Sequence, residues 1–188
     1  TGQLKFMLNY AVLAPSVLNT QPWRFKVSGD EVELYADRTR ALPVIDPSDR
    51  ELIMSCGAAL FHLRLAIRHF GHEAIVHTFP DFDDPDLLAF VRMGAAREPT
   101  VADHLLFKAI PHRRTNRMPY ESRGVPVPEL TALEEAVEQE GGERRVHRAE
   151  PRPRRFHPGL VSGTLLIRLP RYREPMDELR RIIRDVPD

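Results

Sequence analysis

The chain has 188 residues, including seventeen prolines and one cysteine, with 42% hydrophobic and 29% charged residues and a net charge of zero. That length suffices for one domain with a substantial core. The lone Cys56 excludes an intrachain disulfide, and no apolar run approaches the roughly 18 residues of a membrane-spanning helix. With no basic leader and cleavage site at its start, the sequence is expected to be cytoplasmic. The zero net charge hides an asymmetry: residues 1–143 carry 15 Lys and Arg against 21 Asp and Glu, whereas residues 144–188 carry 12 against 6. The break at Gly141-Gly142 predicts two segments, 1–143 and an Arg- and Pro-rich 144–188.

In chain order, Leu4, Met7, Leu8, Ala11 and Val12 recur at helical spacing, predicting an amphipathic helix that stops at Pro15. Trp23, Phe25 and Val27 alternate, "SGDE" offers a hairpin turn, and Val32, Leu34 and Ala36 alternate again, which predicts a strand pair. An irregular stretch then leads to a helix from Arg50 to Phe70, with Asp46 or Ser48 as its cap and Gly71 as its stop. Leu52, Ile53, Cys56, Ala59, Leu60, Leu63, Ala66, Ile67 and Phe70 share its apolar face. "EAIVHTF" reads as a strand, "LLAFVRM" as another, and "TVADHLLFKAI" as a short helix running into a loop. "PELTALEEAVEQEGG" predicts an acidic helix with Leu130, Leu133 and Val137 inward. Beyond it, "TLLIRL" is strand-like and "PMDELRRIIRDV" helix-like. Mixed helices and strands predict an α+β fold with a mixed or antiparallel sheet.

Several clusters have bland readings that win. "DFDDPDLLAFVR" lacks the glycine and the final glutamate of a calcium loop. His69, His72 and His77 straddle a helix end without cysteine or carboxylate at ligand spacing, so no metal is predicted. Cys56 lies on the buried helix face, where a free thiol is inert packing.

Two stretches carry more. "HRRTNRMPY" places Arg113, Arg114 and Arg117 within five residues around Thr115, and guanidinium groups with a hydroxyl suit a phosphate dianion. A solvated basic loop would look the same. "PSVLNTQPW" puts Ser16, Asn19 and Gln21 between a helix and a strand, just before the only tryptophan. Such residues make turns, and they also present polar groups to the edge of a planar ligand.

Taken together, "APSVLNTQPWRFKV", "VELYADRTRALPVIDPSDRELIMSCGAALFHLRLAIRHFG" and "AIPHRRTNRMPY" resemble, in that order, the nitroreductase superfamily of FMN-dependent oxidoreductases. Within it the chain is most similar to the Acg-type proteins of actinobacteria, from about Leu4 to Glu140. The resemblance implies an FMN held between two similar halves, its phosphate at Arg113, Arg114, Thr115 and Arg117 and its ring against Pro15, Ser16, Asn19 and Gln21. It also implies NAD(P)H as donor, a nitroaromatic, quinone or similar acceptor, and either a homodimer or weak cofactor retention. After Gly142 only 46 residues remain, so the tandem repeat implied by the family is incomplete.

Two other functions compete with that expectation. A protein of this family could hold FMN without turnover. The basic segment could instead bind nucleic acid or a partner protein through salt-dependent contacts, although it shows no recognition motif.

Overall fold

The structure, a computed structural model, describes residues 2–116, 118–119 and 124–141. The segment 144–188, with its predicted strand and helix, lies outside the described residues, as does Arg117. The chain divides into two compact units, Thr1–Thr115 and Asn116–Asp188.

In the first unit α1 spans Gly2–Ala11, β1 Trp23–Ser28, β2 Glu31–Ala36, α2 Arg50–His69, β3 His72–Thr78, β4 Leu87–Ala96 and α3 Val101–Ala109. The four strands form one antiparallel sheet in the order β1-β2-β4-β3. This is an α+β fold, as the mixed pattern predicts. The hairpin pairs Ser28 with Glu31 across Gly29, whose φ of 64° suits the tight turn that joins them. Alternation then decides which face is dry. Val32, Leu34 and Ala36 of β2 and Ala89 and Val91 of β4 are buried in one core with Leu52, Cys56, Ala59, Leu63, Ala66 and Ile67 of α2. Leu4, Met7 and Ala11 complete that core from α1, which packs on α2. Fully burying a leucine such as Leu63 is worth about 2 kcal/mol.

The start of α2 differs from expectation in its details. Asp49 occupies the cap position in a left-handed conformation without a side-chain bond, while the buried carboxylate of Asp46 accepts from Leu52 N at 2.9 Å. Asp46 therefore supplies the capping oxygen from three residues upstream, and Ser48 supplies none. Arg38 fastens this corner through ion pairs to Asp49 and, at 2.7 Å, to Asp86. The helix ends at Gly71, whose φ of 84° gives the left-handed stop that glycine favours.

In the second unit α4 spans Val127–Gln139. Leu130 and Val137 are half-buried, but Leu133, expected inward, is exposed, and no residue of α4 is buried among the described residues. Good helix formers and an apolar stripe are enough to specify a helix without specifying what covers it.

Candidate functional site

The segment between α1 and β1 is more than a turn. After Ala11 the chain runs through buried Ala14 to Ser16, which is extended, and then through a 3-10 turn, Val17–Asn19. Leu18, Asn19 and Gln21 have φ values of 48°, 59° and 50°, three of the five non-glycine residues in the left-handed region among those described. For Leu and Gln that conformation costs roughly 1 to 2 kcal/mol each.

Neighbouring groups hold the backbone there. The Ser16 hydroxyl accepts from Gln21 N at 2.9 Å. Arg40 donates through one Nη1 to the carbonyls of Thr20 and Gln21 at 3.0 and 3.4 Å. The Pro22 carbonyl receives Asp37 N at 2.9 Å and the Cys56 thiol at 3.1 Å. Burial pushes that thiol up to about 12, so Cys56 stays protonated and serves as a donor rather than a nucleophile. Pro15, Ser16 and Gln21 are half-buried and Asn19 is exposed. The Asn19 side-chain amide makes no hydrogen bond among the described residues.

The second stretch is presented by α3. Thr100 and Asp103 form a reciprocal capping box, with Asp103 N to Thr100 Oγ1 at 3.1 Å and Thr100 N to Asp103 Oδ2 at 2.9 Å. Burial opposes ionisation of Asp103, yet the Thr100 N–H and hydroxyl and the Arg97 guanidinium outweigh it and hold the carboxyl below its usual range. Across the helix, His69 stacks on Phe107 at 3.8 Å and meets His104 through the two Nδ1 atoms at 2.9 Å. His69 thus pairs with a residue of α3 rather than with His72 or His77.

Buried Ile110 anchors the 3-10 turn Ile110–His112, and Arg113 N donates to Ala109 O at 2.9 Å. Arg113 then leaves the turn with Nη1 on the Thr115 hydroxyl at 3.1 Å. Its Nε is buried and finds no acceptor among the described residues. Arg114 is exposed and bends back, Nη1 donating to the carbonyls of Pro111 and Arg113 at 2.8 Å each. Of the three arginines singled out in the sequence, Arg113 carries the open donor, Arg114 is partly engaged with its own backbone, and Arg117 lies outside the described residues.

No hydrogen bond among the described residues joins Pro15, Ser16, Asn19 or Gln21 to Arg113, Arg114 or Thr115. His62, absent from the sequence expectation, is bonded to the end of α1 and lies within the influence of the Arg113 charge. It is buried on α2, its Nδ1 lies 3.2 Å from Tyr10 O near the end of α1, and burial together with the Arg113 charge holds its imidazole below the usual value. Its position, three after Ala59 and four before Ala66, was the available signal, because a histidine at that spacing lies on the buried face. Arg40 and Asp37, which shape the first loop, carry no comparable signal.

No protein-family model matches the chain. Among curated proteins, a provisionally named NAD(P)H nitroreductase of Mycobacterium tuberculosis, Rv3131, is 42% identical over 123 residues, covering 65% of this chain and 36% of the relative. The similarly named Acg protein of the same organism is 38% identical over 120 residues, covering 64% and 36%. The chain thus matches only about a third of the length of these relatives. A solved nitroreductase-like protein from Streptococcus mutans is 20% identical, with a TM-score of 0.40 over 52% of this chain and 80% of its own.

Proposed function

Because the chain belongs to the Acg-type branch of the nitroreductase superfamily over the residues that match its mycobacterial relatives, we propose that it forms part of an FMN-dependent NAD(P)H oxidoreductase. The observation that carries the cofactor reading is the buried Nε–H of Arg113, a charged donor without an acceptor among the described residues. A buried donor left open costs roughly 1 to 3 kcal/mol, and a phosphate oxygen is a fitting partner. The adjacent Thr115 hydroxyl, already in contact with the same guanidinium at 3.1 Å, adds a second polar group. Arg114 supplies further positive charge, and Arg117, outside the described residues, is the third arginine of the sequence motif. The donor set fits a phosphate ester.

The strained Pro15–Gln21 loop supports the flavin end of this reading. Its backbone is fixed by Ser16, Arg40 and Cys56 before any ligand arrives, while the Asn19 amide, unbonded among the described residues, can meet the polar edge of a ring. FMN, when bound, would accept hydride from NAD(P)H and pass electrons to a nitroaromatic, quinone or similar acceptor. The chain's own residues bind and orient. None is needed as an acid or nucleophile, which suits a site where Cys56 is held as a thiol. The reading extends to a cytoplasmic, homodimeric protein; among the described residues no helix is long and apolar enough to cross a membrane.

The test is direct. The purified protein is expected to be yellow and to bleach when NADPH is added without oxygen. Colour that persists under NADPH turns the reading to an FMN-holding protein without turnover, and a colourless protein that takes up no FMN overturns both.

A further inference from the structure

His69 and His104 meet where α3 packs on the end of α2, and the proposed reaction uses neither. Their Nδ1 atoms are 2.9 Å apart, a distance at which one carries a proton and the other offers a lone pair. The His69 ring is held in that position by its neighbours. It is half-buried, lies flat on Phe107 at 3.8 Å with 8° between the planes, and meets Phe70 edge-on at 5.0 Å. Phe107 in turn touches the Tyr10 ring of α1 at 4.5 Å.

We infer that the His69–His104 contact is an acid-labile clasp, closed while the two rings share one Nδ1 lone pair, opened when both rings take up a proton, and fixing α3 against α2. The Arg113 segment follows α3 directly, Arg113 N donating to Ala109 O at 2.9 Å, so the clasp also governs how firmly the phosphate anchor is presented. Only that last consequence rests on the phosphate reading above. The first proton that the pair takes up sits on one ring, which still donates to the lone pair of the other, now in a charge-assisted bond. The second proton fills that lone pair. Two N–H groups and two positive charges then face each other, and the bond is gone.

The surroundings set the direction. From α3, Lys108 opposes protonation of His69 and Asp103 favours it; Arg68 precedes His69 on α2 and acts on Asp103, and β3 begins with His72. Burial first, and then the His104 and Lys108 charges, outweigh Asp103 and hold His69 below the ordinary imidazole value. Part of that burial is the cover of Phe107, so it is relieved when α3 moves away. With the closed-state value depressed, the clasp's contribution is complete above the open-state imidazole range near about 6.5 and is lost as pH falls through the closed-state value. Asp103 ionises below its usual range, so the capping box keeps its charge throughout that window.

Two measurements on the cofactor-free protein test this. In an NMR titration of the wild type, the His69 and His104 rings are expected to share two inflections separated by more than about one pH unit, as coupled groups do; single, independent steps overturn the clasp. In amide hydrogen exchange corrected for the intrinsic rate, the opening of α3 is expected to rise at least about threefold between pH 7 and pH 5. His104→Asn supplies the control. Its amide nitrogen can donate to neutral His69, and its carbonyl can accept from the protonated ring, so α3 opening is expected to lose its pH dependence whatever the helix loses in overall stability. Opening that is flat with pH in the wild type, or that still rises in acid in His104→Asn, shows that the two rings are not the clasp. Should His104→Asn fail to fold, the wild-type titration decides.

Discussion

The Leu18–Gln21 loop and the Arg113–Thr115 segment solve opposite problems. The loop is backbone-determined: three left-handed non-glycine residues are fixed by a serine hydroxyl, an arginine and a thiol. The arginine segment is side-chain determined and incomplete, with ordinary backbone bonds beneath a buried guanidinium N–H that has no acceptor among the described residues. One region stores strain in order to be rigid, and the other leaves a charged donor open. A shaped wall and an open anchor are complementary requirements of a planar ligand that ends in a charged group.

The strongest way to break the comparison is to remove the anchor. Arg113→Ala with Arg117→Ala is expected to weaken FMN binding by more than about 100-fold, as two charge-assisted contacts at roughly 1.5 to 3 kcal/mol each are lost. Flavin fluorescence on titration measures it, and unchanged affinity would show that the phosphate lies elsewhere. Breaking the wall has a smaller effect. Ser16→Ala leaves Gln21 N without its acceptor and is expected to cost about 1 to 2 kcal/mol of stability in denaturant unfolding.

The helix that presents the anchor can be loosened at its start. Asp103→Asn is expected to lose about 1 kcal/mol at neutral pH from the capping box. Because the Asp103 carboxyl ionises more readily in the folded state, its contribution is present above the unfolded carboxylate range near about 4 and is lost as pH falls through the folded value. Melting curves of variant and wild type should therefore converge in acid, and a gap that stays constant with pH would refute the assignment. The smallest effect sharpens the meaning of strain: Leu18→Asn places a residue that tolerates the left-handed region at an exposed position and is expected to raise stability by about 0.5 kcal/mol. A loss of FMN affinity in that more stable protein would show that Leu18 itself touches the ring.

Much of the fold can be read from the residues because period and punctuation agree. Val32, Leu34 and Ala36 mark the buried side of β2 by alternation, and Gly71 marks the end of α2 by the conformation that it alone adopts cheaply. The candidate site is legible in its chemistry and not in its geometry. Arginines beside a threonine announce an anion, yet nothing in their spacing says that Arg114 folds onto Pro111 O while Arg113 keeps an open N–H. Leu and Gln carry no preference for positive φ, so the twist at Leu18 and Gln21 comes from Arg40 and Cys56, about 20 and 35 residues away, through contacts that local pattern does not encode. Leu133 shows the converse case: its helical spacing predicts an inward face, and spacing does not say what the face meets.

The strand order β1-β2-β4-β3 also bears on how the molecule assembles. Both outer pairings join neighbouring strands through short connections, whereas the central β2–β4 pairing must wait for α2 and β3 to come between them. The bonds from Arg40 to Thr20 and Gln21 and from Asp37 to Pro22 belong with the first hairpin, not with that late seam. The contorted loop is therefore held from two sides, by short-range contacts that come with the first hairpin and by the Cys56 thiol, which reaches Pro22 O only when α2 lies against it.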